Sequence, residues 1–258
     1  MILTSDYHTH TVFSHGKGNI IDNAMMAKEK GLKEIGISDH GFAHPAFGLT
    51  KSKLPTMREL VDKASIESGV KTLLGIESNI IGEEGTTDLK SKYYDYFDIY
   101  FAGFHKFVMY KFKSLFTLSI PNLFRTYFKG KPSKSLIKRD TKAYINVIKN
   151  NPVDAITHLN FCCFADSLEV AKCAADYGTY IELNSKKEHL TDEELYEMLK
   201  TDVRFIINSD AHEPNRVGEI SLIEEKLKRM NFPLDRIDNI DGRLPNFRFA
   251  KFKNGEQK

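Results

Sequence analysis

The chain has 258 residues, of which 41% are hydrophobic and 28% are charged, and its formal net charge at pH 7 is +2. This composition excludes a disordered or fibrous chain and provides enough apolar material for one sizeable core. The nearly balanced charge indicates no class of partner, so any argument from charge must come from local clusters. A single domain spanning residues 1–258 is expected, since single α/β barrels of about 250 residues are common.

The chain shows no targeting or membrane-spanning pattern. It lacks a basic N-terminal region followed by an apolar stretch, and no apolar run reaches the ~18 residues that a spanning helix needs. We therefore expect a cytoplasmic protein without a transmembrane segment. The three cysteines, Cys162, Cys163 and Cys173, do not have the spacing of a disulfide framework or a zinc site and are expected to be buried.

Short apolar runs rich in β-branched and aromatic residues alternate with amphipathic segments along the chain. Strands are predicted at residues 3–8, 34–39, 72–77, 97–104, 153–157, 180–183 and 203–208. Helices are predicted at residues 20–30, 56–67, 135–149, 166–177, 191–200 and 219–229. This alternation with mostly short links predicts an α/β fold in which seven parallel strands form a barrel.

Histidines and acids recur where the predicted strands end. The first strand ends in His8-Thr-His10, and because side chains alternate along an extended strand, both imidazoles point to the same side. Further candidate ligands follow in the next loop or at later strand ends: His15, His40, Glu77, His105, His158, Asp210 and His212. Barrel enzymes build their sites at this end of the strands, so these nine side chains are expected to converge.

The residue types indicate metal binding. Imidazole nitrogen and carboxylate oxygen suit zinc, iron or manganese, and one structural ion needs only four ligands. Nine ligands therefore predict a cluster of divalent cations. Asp6 and Asp39 are candidates for orienting the imidazoles, or else make ordinary strand-end hydrogen bonds. Of the other histidines, His189 is expected to be exposed, while His44 is either inert or part of the site wall.

Six short motifs occur in a fixed order along the chain. They are His8-Thr-His10, Ser38-Asp39-His40, Gly75-Ile76-Glu77-Ser78-Asn79, Gly103-Phe104-His105, Thr157-His158 and Ser209-Asp210-Ala211-His212-Glu213-Pro214. In this ordered set the chain resembles the PHP family, the polymerase and histidinol phosphatase superfamily, in its stand-alone phosphoesterase branch. The resemblance spans nearly the whole chain and implies a distorted, TIM-like (β/α)7 barrel.

The resemblance also implies a phosphoric ester hydrolase with a trinuclear metal site, and two or three zinc, manganese or iron ions are expected. By position, Glu77 would bridge two cations, one held with His8, His10 and Asp210 and the other with His105 and His158. His15, His40 and His212 would hold the third. Glu77 and Asp210 would thereby hold a bridging hydroxide that attacks phosphorus.

The longest connection is a basic, aromatic insert at residues 106–134. From Lys106 to Lys142 there are ten Lys or Arg residues against one acid, Asp140. A substrate lid is the leading interpretation, and a nucleic-acid groove, a membrane-surface patch or simple packing are the alternatives. Three arginines are candidates for contacting a substrate phosphate: Arg125, Arg139 and Arg216.

The leading functional hypothesis is a small-molecule phosphomonoesterase. Histidinol phosphatase, a nuclease or other phosphodiesterase, a protein-tyrosine phosphatase and a catalytically idle metal-binding module stay open as alternatives. The sequence does not define the substrate, the metal, the group that protonates the leaving group or the oligomeric state.

Overall fold

A computed structural model of the protein describes residues 1–128 and 130–256. Lys129, one of the ten cations near the insert, lies outside the described residues. The strands are β1 Ser5–Thr9, β2 Glu34–His40, β3 Lys71–Asn79, β4 Ile99–Gly103, β5 Ala155–Ile156, β6 Tyr180–Asn184 and β7 Phe205–Asn208. The helices are α1 Ile20–Glu29, α2 Leu54–Ser68, α3 Phe112–Ser114, α4 Ile120–Phe128, α5 Lys134–Asn150, α6 Ser167–Tyr177, α7 Asp192–Met198, α8 Ser221–Met230 and α9 Arg248–Lys253.

The seven strands form one parallel sheet in sequence order, β1 to β7. Contacts between the last strand and the first close the sheet. The backbone N–H of His10, directly after β1, donates to the carbonyl of Ala211, shortly after β7, at 2.8 Å. The backbone N–H of Tyr7 donates to the Asn208 side chain at 2.9 Å. The predicted seven-stranded α/β barrel is therefore confirmed, with its helices between consecutive strands.

Local sequence signals account for several helix ends. The Thr191 side chain accepts from the backbone N–H of Glu194, and the Glu194 carboxylate accepts from the Thr191 backbone N–H, which forms a capping box at the start of α7. Gly69 and Gly178 have positive φ angles of 73° and 67° and end α2 and α6. Glycine adopts this left-handed conformation without steric cost.

The barrel interior has an apolar end and a polar end. Tyr7, Ile99, Phe101, Tyr180 and Ile206 form a small buried cluster inside the barrel, separate from the larger core under the helices. The ring of Phe247, from the C-terminal segment, packs edge-on against Tyr7 with 4.9 Å between centroids. This apolar plug fills the barrel below the strand ends and leaves the carboxyl end for polar groups.

An irregularity in β1 lets two neighbouring side chains face the interior. The register of β1 against β2 shifts between Asp6 and Thr9. Tyr7 belongs to the interior plug, and the ring of the next residue, His8, also lies against Phe101 at a centroid distance of 6.1 Å. A bulge of this kind re-aims a side chain within a strand.

The described part of the chain differs from the sequence prediction in two segments. The insert was interpreted as a long connection, but residues 112–128 are continuously helical, with a π-helical turn at Leu115–Ser119 between α3 and α4. Pro121 lies at the second residue of α4 and has no N–H to donate, which favours a widened turn before it. The C-terminal segment contains α9, which the sequence analysis did not predict. No helix among the described residues has the length and apolar character that crossing a membrane would require.

The plug gives a test of the fold. Phe101 is fully buried, so Phe101→Ala should lower the free energy of unfolding by about 3–5 kcal/mol through lost burial and an unfilled cavity. Ile66 is 83% exposed on α2, so Ile66→Ala should change it by less than about 0.5 kcal/mol. Urea titrations followed by circular dichroism measure both, and equal effects would contradict an interior plug at Phe101.

Candidate metal centre

The structure brings the nine predicted ligands together at the carboxyl end of the barrel. Seven of them are buried, His212 is half-buried and His15 is exposed. They occupy β1, β2 and β3 or the segments that follow β1, β4, β5 and β7. Convergence arises because the carboxyl ends of all seven strands open on one rim.

Four ligand atoms at the bottom of this cluster stand at the spacing that one cation requires. The Nε2 atoms of His8 and His10 are 3.1 Å apart. Glu77 Oε2 lies 3.3 Å from the first and 3.7 Å from the second, and Asp210 Oδ1 lies 3.9 Å and 3.3 Å from them. Ligands about 2.1 Å from a tetrahedral cation stand about 3.4 Å apart, so these distances fit a single ion.

Glu77 also reaches a second group of imidazoles. Its Oε1 lies 2.6 Å from His158 Nε2 and 3.1 Å from His105 Nε2. Its Oε2 lies 2.8 Å from His40 Nδ1. One carboxylate therefore faces ligand sets on both of its oxygens, as a group bridging two cations must.

A third grouping lies towards the pocket mouth. His10, His40 and His212 each offer a ring nitrogen within 4.8 Å of the others. The ring of His15 stacks on that of His40 at 4.8 Å between centroids and lies 4.2 Å from that of His212. His15 thus borders this set, and the structure adds His10 to the three residues that the family resemblance implies.

Buried polar atoms in the cluster lack hydrogen-bond partners within the described chain. They are Glu77 Oε2 and ring nitrogens of His10, His40, His105 and His158. Some of these atoms lie close together without hydrogen-bonding geometry, as Glu77 Oε2 and His40 Nδ1 do. Unpaired buried polar atoms are costly, and lone pairs aimed at shared points are what a set of cations satisfies. The residues present therefore fit a divalent metal centre.

The charge states also favour cations. Burial, helped by the His40 charge, lowers the pKa of His10 well below its usual value, and burial lowers that of His40 to about 3. Burial raises the pKa of Glu77, but the imidazoles around it, His105 foremost, outweigh this effect and hold the pKa well below normal. Burial opposes ionisation of Asp210 as well, yet His8 and His10 keep its pKa low. Neutral rings of His10 and His40 thus face ionised carboxylates. Burial opposes protonation of His8 and His158 as well, but the Glu77 carboxylate outweighs it and raises the pKa of both imidazoles.

Glu182 is a functional residue that the sequence analysis missed. It lies within β6, where its Oε1 accepts from His8 Nδ1 at 2.7 Å and its Oε2 accepts from the His158 backbone N–H at 2.8 Å. The first contact leaves His8 Nε2 turned towards the cluster, because a ring that donates from Nδ1 presents its lone pair at Nε2. Thr157 supports the centre similarly, its hydroxyl donating to Glu77 Oε1 at 2.9 Å.

Asp6 and Asp39, for which orientation of imidazoles and ordinary strand-end hydrogen bonding were the two alternatives, have partners other than imidazoles. Asp39 accepts from the Thr11 backbone and hydroxyl and from the Ser14 hydroxyl, and lies 4.0 Å from His10 Nδ1. Asp6 accepts from the Ser209 hydroxyl and from the Gly218 backbone N–H. These carboxylates hold loops around the rim rather than imidazole rings.

Two ligand positions are held in left-handed backbone conformations. His158 has a φ of 29° and Asp210 a φ of 51°. Such angles are uncommon for residues other than glycine and persist only where the surroundings enforce them. For His158, the bond from its backbone N–H to Glu182 provides this enforcement.

A pocket of about 420 Å³ opens above the cluster. Besides ligands, its wall includes His44, Phe47, Lys106, Phe107, Phe161, Lys186, Lys187 and His189. His189, expected to be exposed, is partly buried, with its ring 5.8 Å from that of His158. Lys186 reaches deepest, with its Nζ 3.4 Å from Asp210 Oδ1 and 3.0 Å from His212 Nδ1.

The three candidate arginines lie elsewhere. Arg139 donates to the Thr117 carbonyl and to Ser135, which joins α5 to the π-helical turn. Arg125 lies beside the ring of Phe124 on α4, and Arg216 is exposed on a short 3₁₀ helix. None of the three lines the pocket, where lysines take the place expected for them.

A parallel α/β barrel with buried imidazoles and carboxylates at its carboxyl rim has the architecture of a metal-dependent barrel enzyme. The family model described as the PHP domain matches residues 6–187. The chain therefore belongs to the PHP domain family, and the resemblance stated from its motifs is confirmed.

Similar proteins cover nearly the whole chain. A "probable phosphatase" from Caldanaerobacter subterraneus subsp. tengcongensis is 31% identical and aligns over 92% of this chain and 87% of its own length. A "probable phosphatase" from Vibrio parahaemolyticus is 29% identical over 96% and 98%. The crystal structure of a histidinol phosphate phosphatase from Lactococcus lactis, in complex with zinc, L-histidinol and phosphate, has a TM-score of 0.64 at 15% identity and covers 90% and 95%.

The contact between Glu182 and His8 can be tested directly. Glu182→Gln should weaken zinc binding by about 10–100-fold, because the amide no longer fixes the orientation of the His8 ring by accepting a charge-assisted bond. Isothermal titration of the metal-free protein measures this affinity. Glu225, an exposed residue of α8, provides the control Glu225→Gln. Unchanged zinc affinity in Glu182→Gln would show that His8 does not depend on this contact.

Proposed function

We propose that this chain is a metal-dependent phosphatase that hydrolyses phosphate monoesters at the carboxyl end of its barrel. The observation that carries the proposal is the convergence of nine imidazole and carboxylate ligands beneath a lysine-lined pocket. The relatives called probable phosphatases support the same class. His8, His10, His15, His40, Glu77, His105, His158, Asp210 and His212 would hold two or three divalent cations.

Bound divalent cations supply Lewis acidity and lower the pKa of coordinated water, which suits hydrolysis of a phosphate ester. The protein's own residues position the substrate. The Lys186 ammonium stands at the pocket side of Asp210 and His212, where it can bind a non-bridging phosphate oxygen. Phe161 and Phe107 form apolar parts of the wall and can pack against the leaving group.

The charge of the pocket favours an anionic leaving group over histidinol. Lys106 and Lys187 stand in the wall, and neither lies within 4 Å of a carboxylate in the described chain. Among the described residues, the carboxylates in the pocket are Glu77 and Asp210, which belong to the ligand cluster. The ammonium group of histidinol would find no separate carboxylate there. The likeness to the Lactococcus lactis enzyme, at 15% identity, concerns the fold.

Metal removal tests the class of enzyme. Chelation should abolish hydrolysis of an aryl phosphate, and zinc, manganese or iron should restore it. His10→Ala and Asp210→Ala should each lower kcat/KM by at least about a thousandfold, since each removes a ligand shared within the cluster. Initial rates and metal content by mass spectrometry should be measured on the same samples.

Two results would contradict the proposal of a metal-dependent phosphatase. One is turnover that survives complete metal removal, and the other is full activity in both ligand variants. A fully loaded protein that hydrolyses none of a panel of monoesters, diesters and phosphotyrosine peptides would instead identify a catalytically idle metal-binding module.

Lys186 provides a test of substrate positioning. Lys186→Met keeps most of the length of the side chain but removes its charge, and should lower kcat/KM by about 10–100-fold through the loss of one charge-assisted bond to phosphate. Metal content should not fall, because the variant removes a competitor of the cations at Asp210 and His212. Lys63→Met, at an exposed position of α2, is the control. Wild-type kinetics in Lys186→Met would exclude a phosphate contact by this residue.

A further inference from the structure

The helical insert presents apolar side chains to solvent. Five of them recur every four residues, and we call them the aromatic face: Phe112, Phe116, Ile120, Phe124 and Phe128, which are 83%, 55%, 47%, 53% and 71% exposed. Residues four apart are neighbours on a helix surface, so the five form a stripe that winds slowly around the helix. The ring centroids of Phe112 and Phe116 are 5.4 Å apart, and those of Phe124 and Phe128 are 4.6 Å apart. Continuous exposed apolar stripes of this kind mark interaction sites.

The opposite side of the same helix is largely polar and is hydrogen-bonded to the rest of the domain. Ser114, Leu118 and Asn122 are the buried residues of the segment. Asn122 Nδ2 donates to Asp140 Oδ1 of α5 at 2.8 Å, and Ser114 Oγ accepts from the Glu83 backbone at 3.2 Å. A helix that needed only to fold against its own domain would bury its phenylalanines instead. The aromatic face is therefore held outward by specific contacts.

Cations flank the aromatic face along the chain. Lys113 and Arg125 lie on the same helical segment, and Lys131, Lys134 and Lys138 follow it, partly on α5. Within the described chain none of these five cations has a carboxylate within 4 Å, and the one acid of residues 106–142, Asp140, is buried. The segment thus combines an apolar stripe with five cations that form no salt bridge within the described chain.

We propose that the aromatic face docks this protein on an anionic membrane surface. A helix lying in the interface places its apolar side at the acyl boundary while flanking lysines and arginines contact anionic headgroups. A second copy fits less well, because a two-fold interface would bring the same cations of both copies together. A nucleic acid fits less well because the rings stand along a convex helix rather than in a groove.

Docking in this way would bring the membrane close to the pocket. The Lys106 ammonium lies 5.4 Å from the ring centre of Tyr127, on α4, and 5.6 Å from that of Phe161, in the pocket wall. Phe107, also in the wall, is 61% exposed. The last turn of α4 therefore lies beside the pocket wall, joined to it through the contacts of Lys106.

Vesicle sedimentation tests the docking. The intact protein should sediment with vesicles of phosphatidylcholine and phosphatidylglycerol, less with phosphatidylcholine alone, and less as salt rises. The double variant Phe116→Asp, Phe124→Asp should bind the anionic vesicles at least about tenfold more weakly. The triple variant Lys131→Gln, Lys134→Gln, Lys138→Gln should lose about fivefold per charge.

The matched control is Ile66→Asp, at an exposed apolar residue on α2, and this variant should bind as the wild type does. Circular dichroism and thermal unfolding establish that all variants are folded. Three results would overturn the proposal: no preference of the wild type for anionic vesicles, a dimer in sedimentation velocity that the double variant dissociates, or oligonucleotide binding that the same variant abolishes. The last two would assign the face to a second copy or to nucleic acid.

Discussion

The structure depends on one buried carboxylate. Glu77 is fully buried at the carboxyl end of β3, and an ionised carboxylate in such a place is strongly unfavourable unless opposite charge and hydrogen bonds compensate it. Its oxygens face imidazoles of β1 and β2 and of the segments after β4 and β5, together with the hydroxyl of Thr157. Four different βα units thus meet at one side chain. A closed barrel can bring compensating groups from several strands around one carboxylate. Cations held by the same imidazoles would supply the missing positive charge.

The need to surround Glu77 explains why small residues line the inner layer. A Cβ at Gly103 would lie 2.3 Å from Thr157 Oγ1 and 2.9 Å from the His158 ring. A Cβ at Gly75 would lie 2.3 Å from Ser38 Oγ. Any larger side chain at Gly103 would displace both the hydroxyl that orients Glu77 and a candidate ligand. Close packing around the site, and not backbone conformation, requires glycine at these two positions, since neither has a positive φ angle.

The barrel and the family could be predicted from the sequence, because strand periodicity and ligands at strand ends are both local patterns. The nine candidate ligands were found for the same reason. Their division into groups that could each hold a cation was not, because the register shift in β1 that turns His8 inward cannot be read from the sequence. Glu182 was missed because it lies inside a strand, although its period-two relation to Asn184 places it on the inner face. The helix of the insert was missed because its apolar stripe serves no internal core. His189 was expected to be exposed because no local sequence pattern indicates its contact with the segment after β5, where the rings of His158 and Phe161 lie against it.

Lys186 shows how the centre and the pocket are coupled. Its ammonium lies between Asp210 and His212, both candidate ligands, so it competes for the same carboxylate and the same lone pair as a cation would. Positive charge within the cluster repels this ammonium, while the side chain is 48% exposed and carries a flexible stem. The direction left open to it is into the pocket, towards the phosphate of a substrate. Metal loading and substrate recognition would then be linked through one lysine, whereas the proposed docking of the insert would determine which surface the pocket faces.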